Sequence, residues 1–309
     1  MKKVLFTLAA ILGLSLALVA TSCGGGGGSD DDDETPVAEV ETGGFVPVQG
    51  ATFDGTTGIT GSHVFIEGRT VTIPSLWACD HEVTQGEYLS VMGSNSGYIS
   101  YSSASGEAQA NLPVACVSWY DCLVYCNKRS LAENLTPCYT ISGKTNPDEW
   151  GSVPTASNET WNLATCDWTA NGYRLPTEAE WEYLARGGNL TNNGQTEYSG
   201  SNTIEDVAWY DVNCEDRPHE VKKKADNALG VYDMSGNVWE WCWDWYDPID
   251  TSTPSTGAGA SSCVCRVERG GCFDSMASHN TVFYRDYNDP YCRTGNFCSG
   301  FRVVRSRSE

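Results

Sequence analysis

The sequence predicts an α+β fold with much irregular structure, and three observations carry that prediction. Few stretches keep a sustained apolar period, while 32 glycines and 11 tryptophans are spread over 309 residues, so short elements joined by frequent turns are expected. Three sites place a hydroxyl three residues before a carboxylate. In such a box both side chains satisfy backbone groups that the first turn of a helix leaves free. From Val46 to Ile73, β-branched and aromatic residues are broken by glycines, as in short strands joined by turns.

The chain begins Met1-Lys2-Lys3 and continues as an apolar run from Val4 to Ala20. This is the layout of a secretory signal, and the run is too short and too terminal for a membrane span. It ends Ala20-Thr21-Ser22-Cys23, which resembles a bacterial lipoprotein signal in which Cys23 becomes the lipidated first residue. The expected division is therefore a signal over 1–22, a tether over 23–43 and one domain over 44–309, held outside the cytoplasm at the outer membrane or cell surface. Gly24 to Gly28, Ser29 and the acidic run Asp30 to Glu34 suit a tether, because glycine is flexible and like charges extend a chain. The formal charge of -21 excludes nucleic acid as a partner, since such binding starts with basic side chains on phosphate. Membrane contact is expected through the lipid anchor alone.

Of 14 cysteines, 13 remain when Cys23 is set aside. Outside the cytoplasm such thiols pair, and an odd number leaves at least one single or joined to another chain. Their spacing fixes no connectivity. No cysteine pair has a matching second pair at zinc-site spacing, and His63, His81, His219 and His279 are scattered, so no zinc or iron site is expected.

The three boxes are Thr84 to Glu87, Ser118 to Asp121 and Thr177 to Glu180. They predict helices over Gln85 to Met92, Trp119 to Glu133 and Glu178 to Arg186, and give the acids a structural role in place of a catalytic one. Leu135 to Tyr173 is polar and loop-rich. Asp206 to Trp245 is denser, and its centre, Gly230 to Trp241, mixes aromatics, turn residues and two acids.

The stretch from Arg269 to Arg305 differs from all of this. From Cys272 to Ser299, 21 of 28 residues are Cys, Phe, Asp, Ser, His, Asn, Thr or Tyr. Lys, Glu, Gln and Trp are absent there, although they make up 42 of the other 281 residues, so about four would be expected from composition alone. One cause is physical: aromatic side chains give rigid contact area while Ser, Asn and Asp adapt their hydrogen bonds, the chemistry of antibody loops. A second is genetic. Randomising the two adenines of an AAC codon yields Asn, Asp, His, Tyr, Ser, Thr, Cys, Phe and Gly among others, and never Lys, Glu, Gln, Trp or Met. Met276 departs from that rule and reads as a fixed position beside Ala277, Val282, Arg285, Pro290 and Arg293. The candidate ligand surface is Phe273, Asp274, Ser275, His279, Asn280, Phe283, Tyr284, Asp286, Tyr287, Asn288, Tyr291, Thr294, Asn296 and Phe297.

Several motifs then coincide. Glu82-Val83-Thr84 with Tyr88, Pro113-Val114 leading to Val117-Ser118-Trp119-Tyr120-Asp121, Gly172 to Tyr183, Gly236 to Trp241, Arg269-Gly270-Gly271 and Gly300-Phe301-Arg302 together resemble the formylglycine-generating enzyme (sulfatase-modifying factor) family. The resemblance runs from about Gly44 to Arg305 and implies that family's variant of the C-type lectin fold. The family's oxidases hold copper on two cysteines near the Arg-Gly-Gly motif and oxidise a substrate cysteine; those places fall here at Ser275 and Asn280. Neither side chain replaces a thiolate, so copper is not expected, and a formylglycine-forming oxidase acting on sulfatase-like substrates remains the alternative, through Cys272 alone. The resemblance also implies a calcium site from the Asp233 and Glu240 carboxylates with the Gly236 and Val238 carbonyls, an oxygen set that calcium accepts. A smaller group, variable proteins diversified by retroelements, includes surface lipoproteins on this same fold. Similarity to it implies a non-catalytic protein that binds a protein or glycan ligand through its rewritten C-terminal segment.

Overall fold

The three boxes form as read. In the computed structural model Thr84, Ser118 and Thr177 each accept from the backbone N–H three residues on, and Glu87, Asp121 and Glu180 return the bond. They open α1 (Gln85–Met92), α2 (Trp119–Ala132) and α4 (Glu178–Ala185). Glu133 and Arg186, expected as last helical residues, are the C-caps. Two one-turn helices, α3 (Glu159–Asn162) and α5 (Ile204–Val207), complete the α-helical set among the described residues. The structure describes residues 44–94, 101–255, 264–293 and 298–307. The expected signal, Cys23, the tether, Cys263, Thr294, Asn296 and Phe297 lie outside them. No helix among the described residues is long and apolar enough to cross a membrane.

Two four-stranded sheets organise the rest. The first runs β1 (Phe45–Val48), β4 (Leu76–Cys79), β12 (Val304–Ser306), β7 (Tyr173–Arg174), so both ends of the domain pair with the same strand. The second runs β10 (Arg285–Asn288), β9 (Arg266–Arg269), β8 (Trp239–Trp245), β11 (Ser299–Gly300). Across it Glu240 faces Arg269 and Arg269 faces Arg285. Two hairpin-like pairs, β2 (Ala51–Phe53) with β3 (Val71–Ile73) and β5 (Tyr139–Thr140) with β6 (Thr165–Cys166), flank these sheets.

Eight of the eleven tryptophans are buried. Trp119, Trp181 and Trp241 are fully buried, and each indole N–H finds an acceptor: Cys242 O at 3.0 Å, Glu240 at 2.8 Å and Val117 O at 2.8 Å. A buried indole is more stable when that donor is satisfied. All eight residues of α4 are buried, including Glu178, Glu180 and Glu182. A buried carboxylate needs a partner, and arginines supply it, one at the C-cap of α4 itself and the others from elsewhere in the fold. Arg174 grips Glu180 at 2.6 and 2.7 Å, Arg186 and Arg269 reach Glu182 at 2.9 and 2.6 Å, and Arg285 takes Glu178 at 2.5 and 2.8 Å.

Candidate functional site

The Arg269-Gly270-Gly271 motif launches the segment. Both glycines have positive φ, 94° and 76°, a region that costs an L side chain energy. A Cβ at Gly271 would sit 2.3 Å from Asn280 Oδ1, so the turn has no room for another residue. Arg269, fully buried, then reaches forward along the chain: its guanidinium donates to the carbonyls of Val282 (3.2 Å) and Tyr284. The backbone of the segment is thus fixed from beneath.

Further anchors hold it. Val282 is buried in the core with Trp181 and Val267. Arg285 is clamped on Glu178 at the start of α4, and Arg293 on Asp121 at the start of α2, at 2.5 and 2.8 Å. The buried Pro290 accepts from Tyr120 N at 3.3 Å. Four of the six residues read as fixed are therefore anchors. Met276, 57 % exposed, is not one, and Ala277 packs only partly, against the small cluster of Tyr198 and Ile204.

Three expected surface residues are corrected. Phe273, Ser275 and Asn280 are buried. Phe273 enters a small core with Cys116, Cys272, Cys298 and Trp239 and meets Tyr101 edge-on at 5.1 Å. Ser275 accepts from Cys272 N at 3.1 Å, and Asn280 donates to the carbonyls of Ser275 (3.3 Å) and Met276 (2.8 Å). Short polar side chains such as these close a turn on its own backbone, which is why they face inward. The places of the family's two copper cysteines thus come together in space, occupied by a serine and an asparagine.

The other described candidates reach solvent. Asp274 and Tyr287 are exposed, and His279, Phe283, Tyr284, Asp286, Asn288 and Tyr291 are half-buried. Ring pairs stiffen the face: His279 lies 4.5 Å from Tyr284, and Tyr287 lies 4.5 Å from Tyr246. A cleft of about 240 Å³ opens between His63, Tyr246, Phe283, Tyr284 and Arg285. On the other side of Arg285 a second cavity of about 230 Å³ is lined by Glu178, Asp244, Asp247 and Ile249 among others. His63 and Tyr246 fall outside the candidate surface drawn from 272–299 because they lie outside that segment along the chain. Beside His63, Gly61 has a φ of 78° and a would-be Cβ 3.0 Å from the Phe283 ring, so the chain crosses the segment closely there. Tyr291 contributes less to the face, since its hydroxyl bonds Asp289 at 3.0 Å and its ring leans on the large aromatic core.

The expected calcium ligands do not fit that ion as arranged. Both Glu240 oxygens are taken by Arg302, at 2.6 and 2.7 Å, and one also accepts from Trp181. Asp233 Oδ2 accepts from Lys222 N at 2.7 Å. A guanidinium already neutralises the central carboxylate, where calcium would require it free and charged. Burial, then the nearby Asp233 and Glu240, raise the Glu82 carboxyl well above the ordinary range, and burial raises Asp233 to about 6. Protonation therefore relieves this cluster. A Cys79, Asp80, His81 group also converges, but its charges are met internally: Lys222 holds Asp80 at 2.7 Å, and His81 lies between Asp80 (2.5 Å) and Glu87 (3.3 Å).

These groups set a pH dependence. Burial pushes Glu268, beneath the face, up to about 8, and burial with the neighbouring Glu178 raises Asp244. A carboxyl that stays protonated in the fold after it would ionise in the unfolded chain stabilises the fold at low pH, and that contribution is lost as pH rises through the folded value. His81 adds the same sign at higher pH: burial opposes its charge, but the bond to Asp80 prevails and carries it to about 12. Glu87, which burial would raise but the bonds and charge of His81 with Thr84 and Arg129 hold down to about 2, contributes above its usual range and fails only in strong acid. The thermal midpoint is therefore expected to fall by about 5 °C or more between pH 5.5 and pH 8.5. Thermal unfolding across that range checks this, and a midpoint that rises with pH would contradict it.

Comparison with known proteins matches residues 32–307 to the sulfatase-modifying factor enzyme 1-like domain. The chain is 37% identical over 259 residues to the chaperone protein LppX of Paenibacillus barcinonensis, covering 77% of this chain and 83% of that one. It is 37% identical over 172 residues to the formylglycine-generating enzyme of Streptomyces coelicolor, covering 47% of this chain and half of that enzyme. Among solved structures, Treponema denticola variable protein 1 superposes with a TM-score of 0.73 at 35% identity, over 85% of this chain and 94% of that one.

Proposed function

The chain belongs to the sulfatase-modifying factor enzyme 1-like family, with an α+β, C-type lectin-like fold of the formylglycine-generating-enzyme type, and from that premise we propose that it is a surface-displayed, lipid-anchored protein that binds ligands and does not oxidise them. One observation carries this reading. The segment is pinned from beneath by Arg269, Val282, Arg285 and Arg293, while His279, Phe283, Tyr284, Asp286 and Tyr287 turn toward solvent beside Tyr246 and His63. A rigid base under adaptable polar and aromatic side chains is what recognition needs, and the ligand is a protein or a glycan.

The oxidase reading lacks its chemistry at the family's two metal positions, where Ser275 and Asn280 bond to the local backbone. Cys272 is 2 % exposed and faces Ser275 and Cys298. Similarity to a protein named as variable supports the view that the restricted composition of 272–299 arises from diversification by a retroelement. The soluble domain, residues 44–309, displayed to arrays of glycans and of extracellular proteins, should capture discrete ligands. Aldehyde formation on a cysteine-containing sulfatase-type peptide in the presence of copper and oxygen, lost in Cys272→Ser, would overturn the proposal.

A further inference from the structure

We propose that Cys272 and Cys298 form a disulfide bond that closes the ligand-binding segment into a covalent loop. The topology brings the two chains together. Immediately after Cys272, Phe273 N donates to Asn237 O at 2.9 Å; on the other side Trp239 N donates to Cys298 O at 3.0 Å. Asn237 and Trp239 flank Val238, so the chain leaving β9 and the chain entering β11 run on either side of one short stretch at the start of β8. Their side chains meet in the small core formed with Val238, Trp239 and Phe273. Each cysteine is only 2 % exposed, and the two thiols are in hydrogen-bonding contact with each other. Loss of two protons and two electrons from thiols in contact lets sulfur bond to sulfur.

The hydrogen bond with Cys298 first and, against burial, that with Ser275 hold the Cys272 thiol below the ordinary value, while the same contact and burial raise Cys298. The oxidant is a protein or small-molecule disulfide outside the cytoplasm. The thiolate of one of the two cysteines attacks one of its sulfurs, forming a mixed disulfide and expelling a thiolate; the other cysteine, losing its proton, then attacks the first one's Sγ and releases the second thiolate. Two electrons pass to the oxidant, which leaves as thiols. Because both sulfurs are buried in the finished fold, the exchange takes place before the segment seats. The bond closes a loop of 25 residues, 273 to 297, and removes freedom that the segment would otherwise lose on binding.

The consequence for binding rests on the function proposed above; the bond itself does not. The full chain, exported and purified from the envelope, is alkylated without reduction and digested with trypsin. A linked pair of peptides, Gly270 to Arg285 with Thr294 to Arg302, is expected and should vanish on reduction. Alkylation of either cysteine in the unreduced, denatured protein, or linkage of Cys298 to Cys116 or Cys292, overturns the assignment. In a second arm, reduction should speed amide exchange over residues 281–288 by about tenfold while β1 and β4 stay unchanged; equal exchange in both redox states would show that the bond does not restrain the segment. Neither readout uses a ligand. A reduced pair with intact capture therefore removes the cross-link alone, and a formed bond without capture removes the binding reading alone.

Discussion

Replacing Tyr246, Tyr284 and Tyr287 together by alanine is expected to weaken ligand capture by about 100-fold or more and to leave the thermal midpoint within about 4 °C of the parent. The three rings line the exposed side of the segment: Tyr287 is 51 % exposed and lies tilted against Tyr246, and Tyr284 lines the cleft with Phe283 and lies tilted against His279. Buried aromatic contacts supply most of the affinity in recognition surfaces, about 2 kcal/mol or more at each central position, so losing three should exceed two decades. Stability should change little, because the anchors beneath, Arg269, Val282, Arg285 and Arg293, are untouched. Leu163→Ala, at a site 70 % exposed and remote in the chain, serves as the control and should leave capture unchanged. Titration of the captured ligand against the three proteins decides. A triple variant that binds as the parent does removes this face from the account.

Arg302→Ala is expected to be the most damaging single change, at about 3–5 kcal/mol of unfolding free energy. Both partners of the Arg302–Glu240 pair are fully buried, and the guanidinium also donates to Cys79 O and Tyr232 O. Its loss leaves Glu240 beside Glu82 and Asp233 without its guanidinium partner, and uncompensated buried charge is what makes breaking such a pair costly. Denaturant unfolding measures the effect, and a loss below about 1 kcal/mol would mean that the pair behaves like a surface one. Because Arg302 already occupies the carboxylate, removing calcium with a chelator should shift the midpoint of the parent by less than about 1 °C. A drop of several degrees would restore the calcium site.

Much of this frame is local enough to be legible in the sequence. The hydroxyl and carboxylate of each capping box lie three residues apart and act on their own backbone, so Thr84, Ser118 and Thr177 announce helices without help from elsewhere. Arg285 and Arg293 stand out within a segment of restricted composition, and both prove to be anchors. The remainder depends on partners distant in the chain. Nothing near Glu240 signals that Arg302, 62 residues on, will claim it. Nothing within 272–299 points to His63 or Tyr246, which only the fold carries to the cleft. Composition marks the segment as special but cannot assign its residues to faces, because outside a regular strand no period ties sequence position to direction. Phe273, Ser275 and Asn280 turn inward while Asp274 turns outward for that reason.

The most direct test of a fixed frame carrying an open face is to sequence the coding segment for residues 272–299 across many isolates. Substitutions should gather at Asp274, His279, Tyr284, Asp286, Tyr287 and Asn288, and the codons of Val282, Arg285, Pro290 and Arg293 should stay constant. Variation spread evenly along the segment, or concentrated on those four anchors, would contradict the account.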